Sequence, residues 1–483
     1  MIVAREYPKI IQGGMGVSVS NWRLAKSVSE CGQLGVVSGT MLDTVIARRL
    51  QDGDRDGSVR RALAHFPAPE VAARIVEFYF VEGGKCEEMP YRSVPMHSLK
   101  SATFLTDLTV AANFVEVFLA KEGHQGLVGI NYLTKIELPT LPSLYGAMLA
   151  GVDYVLMGAG IPRSIPGILD RLSQNQPVTL KIDVTGALPE DKFEKSFDPS
   201  PYKNREPALK RPLFLAIVSS STLAQALAKK ASGKVDGFVV EHHTAGGHNA
   251  PPRGPLHLSE QGEPIYGPKD EADLSEFIKL GLPFWLAGSC ASPESLKAAL
   301  TAGAQGIQVG TSFAYCQESG ITEDIKEQII AKILDHSAEV FTDPRASASG
   351  YPFKVVQLEG SLWEQEEFER RTRICDLGYL RTPSRGANGA VVFRCPAEPV
   401  DDYVKKGGAA EETEGRKCLC NGLMSTVGLP QAREGGYLEP ALVTAGNELS
   451  SIVKFLAPNQ KSYSAKQVIA VLLEGATCKN EPG

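Results

Sequence analysis

From Ile10 to about Ser319 the chain repeats one pattern: a short apolar run, a glycine-rich break, then a stretch carrying Ala, Leu and Lys at helical spacing. Apolar runs of three to seven residues alternating with helices predict parallel strands covered on both faces. Nine runs qualify: Ile10 to Gln12, Leu34 to Ser38, Leu127 to Asn131, Tyr154 to Met157, Val178 to Val184, Leu213 to Val218, Gly237 to Glu241, Phe284 to Ala287, and Gly306 to Val309. A closed eightfold barrel needs one fewer. Val178 to Val184 leads into a polar, proline-punctuated excursion (Leu188 to Arg211), whereas Leu213 to Val218 leads straight into a helix, so the former is placed outside the barrel. The expected fold is α/β, a (β/α)8 TIM barrel with a helical insertion after strand 2 and a C-terminal extension.

The unit after Phe284 to Gly288 shows the local logic. Ser292 is placed to cap, Pro293 to occupy the first helical position, Leu296, Ala299 and Leu300 to face the core, and Gly303 to end the helix. Two segments break this rhythm. Residues 41–125 read as mostly helical (Ser58 to His65, Glu70 to Val81, Leu108 to Lys121) and exceed a plain βα connection. Residues 321–483 begin with a helix over Glu323 to His336, pass through a charged, low-order stretch from Lys405 to Arg416, and end in Ser464-Ala465-Lys466-Gln467, a capping box before Val468, Ile469, Val471 and Leu472. The predicted division is therefore 1–40 with 126–320 as barrel, 41–125 as insertion, and 321–483 as extension.

Composition narrows the partners. Fifty Lys and Arg against 56 Asp and Glu leave a net charge of −6, without the basic footprint of a nucleic-acid binder. No run of 18 apolar residues occurs, and Arg5, Glu6 and Lys9 stand where a signal peptide has its apolar core, so a cytoplasmic location is expected. Nine cysteines are expected as reduced thiols.

Three blocks carry candidate chemistry. Ile11-Gln12-Gly13-Gly14-Met15-Gly16 closes the first strand, where glycines admit a flat ligand or a phosphate close to the backbone; it does not give the GxGxxG dinucleotide spacing. Glu241-His242-His243-Thr244-Ala245-Gly246-Gly247-His248-Asn249-Ala250 follows another strand, on the face where parallel barrels hold their active sites, and offers a base or acid on a glycine-hinged loop. Three histidines without organised carboxylate spacing do not make a metal site, and none is expected. Gly288-Ser289 and Gln308-Val309-Gly310-Thr311 end the last two strands, where such barrels often hold a phosphate. Cys375, Cys395, Cys418 and Cys420 match no metal-knuckle spacing, and Cys290 and Cys316 flank the phosphate loops without a role. Arg370, Arg371 and Arg373 are open to two readings, a contact for an acidic carrier or a solvated helix face; Trp285 is read as core with the option of shaping the site.

Taken in order, Ile11 to Met15, Gly35-Val36-Val37-Ser38, Val128-Gly129-Ile130-Asn131, Ala245-Gly246-Gly247-His248, and Gly306 to Phe313 leading into Glu318-Ser319-Gly320 resemble the nitronate monooxygenase (2-nitropropane dioxygenase) family and the related FMN-dependent enoyl-acyl carrier protein reductases, over most of residues 9–320. The resemblance implies FMN at the C-terminal ends of the barrel strands. Gly13, Gly14 and Met15 would face the flavin, Asn131 would hydrogen-bond it, Gly246, Gly247 and Gln308 would line its site, Gly288, Ser289, Gly310 and Thr311 would hold its phosphate, and His248 would be the catalytic histidine. The family usually has Glu before Ala-Gly-Gly-His and Gly two residues after it; here stand Thr244 and Ala250, with His242 and His243 inserted before them. The implied activity is oxidation of alkyl nitronates or nitroalkanes with O₂. The alternative is an NAD(P)H-dependent enoyl reductase, which the chain length favours, and a third reading is a sensor or assembly component that keeps the flavin pocket. The partners expected are a small-molecule substrate, an acyl carrier protein under the second reading, and a second copy of the chain.

Overall fold

The computed structural model describes residues 7–202, 208–458 and 460–474. Arg5 and Glu6 of the polar start, residues 203–207 of the excursion, and residues 475–483 with Cys478 lie outside the described residues. In chain order the first strands are β1 (Ile10–Gln12), β2 (Gly35–Ser38), β3 (Val128–Leu133), β4 (Tyr154–Gly158), β5 (Val178–Lys181), β6 (Glu194–Phe197), β7 (Leu213–Val218), β8 (Gly237–Glu241), β9 (Phe284–Ala287) and β10 (Gly306–Val309). All except β5 and β6 pair in parallel in one sheet ordered β1-β10-β9-β8-β7-β4-β3-β2. A parallel bridge between Ile11 and Leu34 brings the two edges together and closes the barrel. As expected, the run at Val178 stands outside it: β5 alternates buried and exposed residues and pairs antiparallel with β6, the signature of a sheet wetted on one face.

Ile11, Leu34, Val36, Leu156, Leu215, Val239 and Trp285 fill the barrel interior, all fully buried. Trp285 sits at the N-terminal end, its indole N–H donating to the Pro8 carbonyl at 2.8 Å and its ring meeting the edge of Tyr7. It plugs the bottom of the barrel and does not shape the site.

Helices α1 (Trp22–Glu30), α2 (Leu42–Gln51), α3 (Ser58–Leu63), α4 (Pro69–Tyr79), α5 (Thr103–Lys121) and α6 (Thr140–Leu149) follow on the first half. The helix expected from Leu108 starts five residues earlier, and α5 packs against α1, α2 and α6 at once. It is long and apolar enough to span a membrane, yet 78% of its apolar window is buried inside the protein; a helix apolar all round is a core helix here. Because α5 feeds β3 directly, it is the barrel's own crossover helix, and α2 to α4 are the inserted part.

In the extension, a helix spans Glu323–Leu334, β11 (Val340–Asp343) pairs with β12 (Phe353–Val356), and β13 (Thr382–Arg385) pairs with β14 (Val391–Arg394). The stretch from Lys405 to Arg416, expected to be poorly ordered, is held: Tyr403 donates to Glu412 at 2.8 Å, and the Ala409 N–H donates to the same carboxylate. High charge there marks a wet surface with its own bonds. The terminal capping box is formed as read, with Ser464 N–H on Gln467 Oε1 and Gln467 N–H on Ser464 Oγ, opening the helix Ala465–Glu474. Of the three-arginine cluster only Arg370 is exposed; Arg371 is buried against Glu439, and Arg373 donates to the Pro396 and Thr413 carbonyls. Those guanidiniums are structural, not a free basic patch. Val356, Val443, Leu449 and Val468 join the same apolar core as the barrel helices.

Candidate active site

The C-terminal ends of the strands open into a cavity of roughly 400 Å³, within the ~300–1,000 Å³ usual for small-molecule and cofactor sites. Its floor is the β1 turn. The buried Gln12 side chain ties this turn, accepting from the Val36 N–H at 3.0 Å and donating to Ser20 Oγ at 2.8 Å. Gly14 touches β3 so closely that a Cβ would stand 2.4 Å from that of Asn131, so no other residue fits without moving the strand. Asn131 donates to the Gly14 carbonyl at 3.0 Å, while its Oδ1 and Gln308 Oε1 are buried at the cavity wall with no hydrogen-bond partner among the described residues.

The far wall is made by the β8 loop and by the extension. His248 donates or accepts at Nε2 with Ser347 Oγ, 2.7 Å away, and its ring meets Phe353 edge-on. The loop carrying it is stitched to the extension by backbone: Lys354 N–H donates to the Gly247 carbonyl, Asn249 N–H to that of Pro352, and Gly247 N–H to Thr444 Oγ1. Burial, helped by the Lys135 charge, pushes the His248 imidazole down to about 3, so it is neutral at pH 7. Glu241, at the end of β8, is pushed up to about 7 by burial.

Gly288 and Ser289 both take positive φ, +101° and +52°, a backbone that strains serine and that clusters at functional sites. Thr311 Oγ1 accepts from the Gly446 N–H at 2.9 Å, so one of its lone pairs is spent on the extension. All the residues expected to hold the flavin, Gly13, Gly14, Met15, Asn131, Gly246, Gly247, Gly288, Ser289, Gln308, Gly310 and Thr311, line this one cavity together with His248. The glycine-floored cradle and the two unpaired amide oxygens fit a flat ring with a polar edge.

Residues 181–365 match the nitronate monooxygenase family. The matched segment is less than half of the chain. It carries His248, the Gly246-Gly247 hinge and both loops at the ends of β9 and β10, whereas Gly13, Gly14, Met15 and Asn131 lie outside it. A probable nitronate monooxygenase of Bacillus subtilis (strain 168) is 35% identical over 161 residues, 32% of this chain; the chain thus matches only 41% of that protein's length. Among solved structures, FabK from Thermotoga maritima overlays with a TM-score of 0.47 at 18% identity, covering 97% of this chain and 92% of its own. Nitroalkane oxidase from Streptomyces ansochromogenes gives 0.45 at 14% identity, covering 97% of each chain.

Reasoning from the nitronate monooxygenase motifs alone misses the part of the wall made by Tyr351, Phe353, Tyr379, Thr444 and Glu448; no motif links them, because chain folding alone brings them over the barrel. The other two histidines of this loop are not among the cavity's lining residues: His242 Nε2 lies 2.8 Å from the exposed Glu271, and His243 stacks flat on Tyr266. With Glu271 they are the one donor set among the described residues close enough together to share an ion. The four late cysteines surround a separate small void and do not form such a set; burial pushes Cys418 and Cys420 up as thiols.

Proposed function

We propose that the protein is an FMN-dependent oxidoreductase that oxidises alkyl nitronates with O₂. When bound, FMN supplies the electron transfer between substrate and oxygen. Asn131 and Gln308 would pair with the polar edge of its ring, and the Gly288-Ser289 and Gly310-Thr311 loops would receive its phosphate. The observation that carries the reading is the state of His248: neutral, oriented by Ser347, and facing the same cavity as the glycine cradle. A nitronate is already deprotonated, so a neutral imidazole suffices to hold it by a hydrogen bond. A nitroalkane needs a stronger base, and reduction of an enone needs a proton donor; an imidazole held at about 3 is neither at pH 7.

The test is anaerobic. Purified protein mixed with ethyl nitronate, and separately with NADH and NADPH, is followed at the flavin absorbance band. Bleaching by the nitronate and not by either nicotinamide is expected. Rapid bleaching by a nicotinamide with none from nitronate would transfer the assignment to enoyl reduction, and a preparation without a flavin band would remove the cofactor altogether.

A further inference from the structure

Four cysteines of the extension meet around one small void. Cys375 precedes β13, Cys395 directly follows β14, and Cys418 and Cys420 open a helix over Leu419–Thr426, so three separate segments deliver them. All four line the void, whose volume is about 10 Å³, space for a sphere the size of a water molecule. Cys395, Cys418 and Cys420 are buried and Cys375 is half-buried, and the Cys375 and Cys395 thiols hydrogen-bond each other.

The groups around these sulfurs suit thiolates. The backbone N–H groups of Tyr379 and Leu380 are directed at Cys420 Sγ, that of Ala397 at Cys395 Sγ, and Asn421 Nδ2 donates to Cys418 Sγ at 3.5 Å. A thiol is a weak acceptor and a thiolate a strong one. Lys417 lines the void as well. The charge of Arg373 acts on Cys395, and that of Arg381 on Cys375, Cys395 and Cys420. None of these three cations has an ion-pair partner among the described residues: Arg373 and Arg381 donate to backbone carbonyls, and the Lys417 ammonium stands 4.4 Å from the ring centroid of Phe368. Enclosed cations without a counter-charge are costly, and thiols in the same place stay neutral by burial. A metal centre answers both conditions, because coordination deprotonates the thiols outright.

We infer that Cys375, Cys395, Cys418 and Cys420 are the ligands of an iron–sulfur cluster. Four thiolates are its complete ligand set, and N–H groups on the sulfurs with cations nearby stabilise its net negative charge. A single zinc ion does not match the spacing. With Zn–S bonds of about 2.3 Å, four sulfurs leave no water-sized space between them, and here no three of the thiols approach closely enough to share one ion. Leu380, Leu419 and Cys420 line both this void and the active-site cavity, so one layer of side chains separates the cluster from that cavity. The assignment is independent of the substrate proposed above.

The full chain is purified anaerobically and assayed for iron, acid-labile sulfide and zinc, then assayed again after reconstitution with ferrous ammonium sulfate, sodium sulfide and dithiothreitol. Iron and sulfide in equal amounts, at least about two of each per chain, are expected, with a fast-relaxing EPR signal at helium temperature after dithionite reduction that a flavin radical does not give. Cys395→Ser and Cys418→Ser, neither of which lines the active-site cavity, are each expected to lower iron and sulfide about tenfold or more, since even the neighbours of metal ligands are worth that much, with flavin content unchanged. Cys86→Ser, which alters an exposed thiol elsewhere, is expected to keep the full amount. Iron that persists in the two serine variants, iron without sulfide, or no iron after reconstitution overturns the assignment, as does stoichiometric zinc that the same variants lose. Should the serine variants fail to fold, iron K-edge EXAFS of the unaltered protein decides: sulfur neighbours with a short iron–iron vector support the cluster, and oxygen or nitrogen neighbours overturn it.

Discussion

At the scale of single residues, the chemistry of the site is set by what each group lacks. His248 is visible in the sequence because Gly246 and Gly247 precede it at a strand end, but its protonation state is not, because that depends on the Phe353 ring, the Ser347 hydroxyl and the Lys135 charge, from other parts of the chain. The folded imidazole titrates at about 3 against an ordinary 6.5. Between those values the unfolded chain binds a proton that the folded one does not, so this group's effect is to lower stability as pH falls from 6.5 towards 3, with no change above 6.5. His248→Asn is expected to flatten the dependence of Tm on pH across that window, measured by calorimetric scans at half-unit steps; an unchanged slope means that His248 is already charged when folded. Lys135 carries no sequence signal at all, since a lone lysine after a strand is ordinarily a solvated one. Only the fold reveals that its ammonium is buried.

At the scale of elements, the strands were legible because a barrel strand buries both faces and so reads as a continuous apolar run. Helix α5 was legible from Leu108 onward but not in its first five residues: packed on several sides, it has no polar stripe to mark its beginning. The junction between the inserted helices and the extension was invisible. There the buried Asp43 of α2 receives the Tyr379 hydroxyl, binds His97 Nε2 at 2.7 Å and accepts from Thr109, so α2, the loop before α5, α5 itself and the extension meet at one carboxylate. Burial pushes its pKa up, and the bonds to His97, Tyr379 and the Thr44 N–H outweigh that and hold it below the usual carboxylate value. Asp43→Ala leaves the buried His97 without its partner and Tyr379 with Thr44 Oγ1 alone. A loss of about 3–5 kcal/mol is expected from breaking such a buried pair, read as a lower urea midpoint at unchanged slope; a shift under half a kcal/mol would falsify the view of this carboxylate as a hub.

At the scale of the whole molecule, barrel and extension share one core and one site. Residues beyond 320 supply Tyr351, Phe353, Tyr379, Leu419, Leu423, Thr444 and Glu448 to the cavity wall and Val356, Val443 and Leu449 to the apolar core. Cutting the chain after Gly320 uncovers both. The truncated protein is expected to expose apolar surface, bind the dye ANS and retain no flavin, whereas the full chain melts in one transition; a truncated barrel that keeps its flavin and a sharp melt would show that the extension is an accessory.

The sequence by itself determined the barrel, the exclusion of the run at Val178, the glycine floor, and the grouping of His248 with the loops at the ends of β9 and β10. These are local properties: burial on both faces, a tight turn, and loop positions that the strand order places at one end. Tertiary structure alone decided that the extension roofs the cavity, that Trp285 lies at the opposite end, that Arg371 and Arg373 are structural, and that Lys135 is buried beside His248. Each of these depends on contacts between residues far apart in the chain, and hydrophobic periodicity, which reports only which face of an element is covered, carries no information on what covers it.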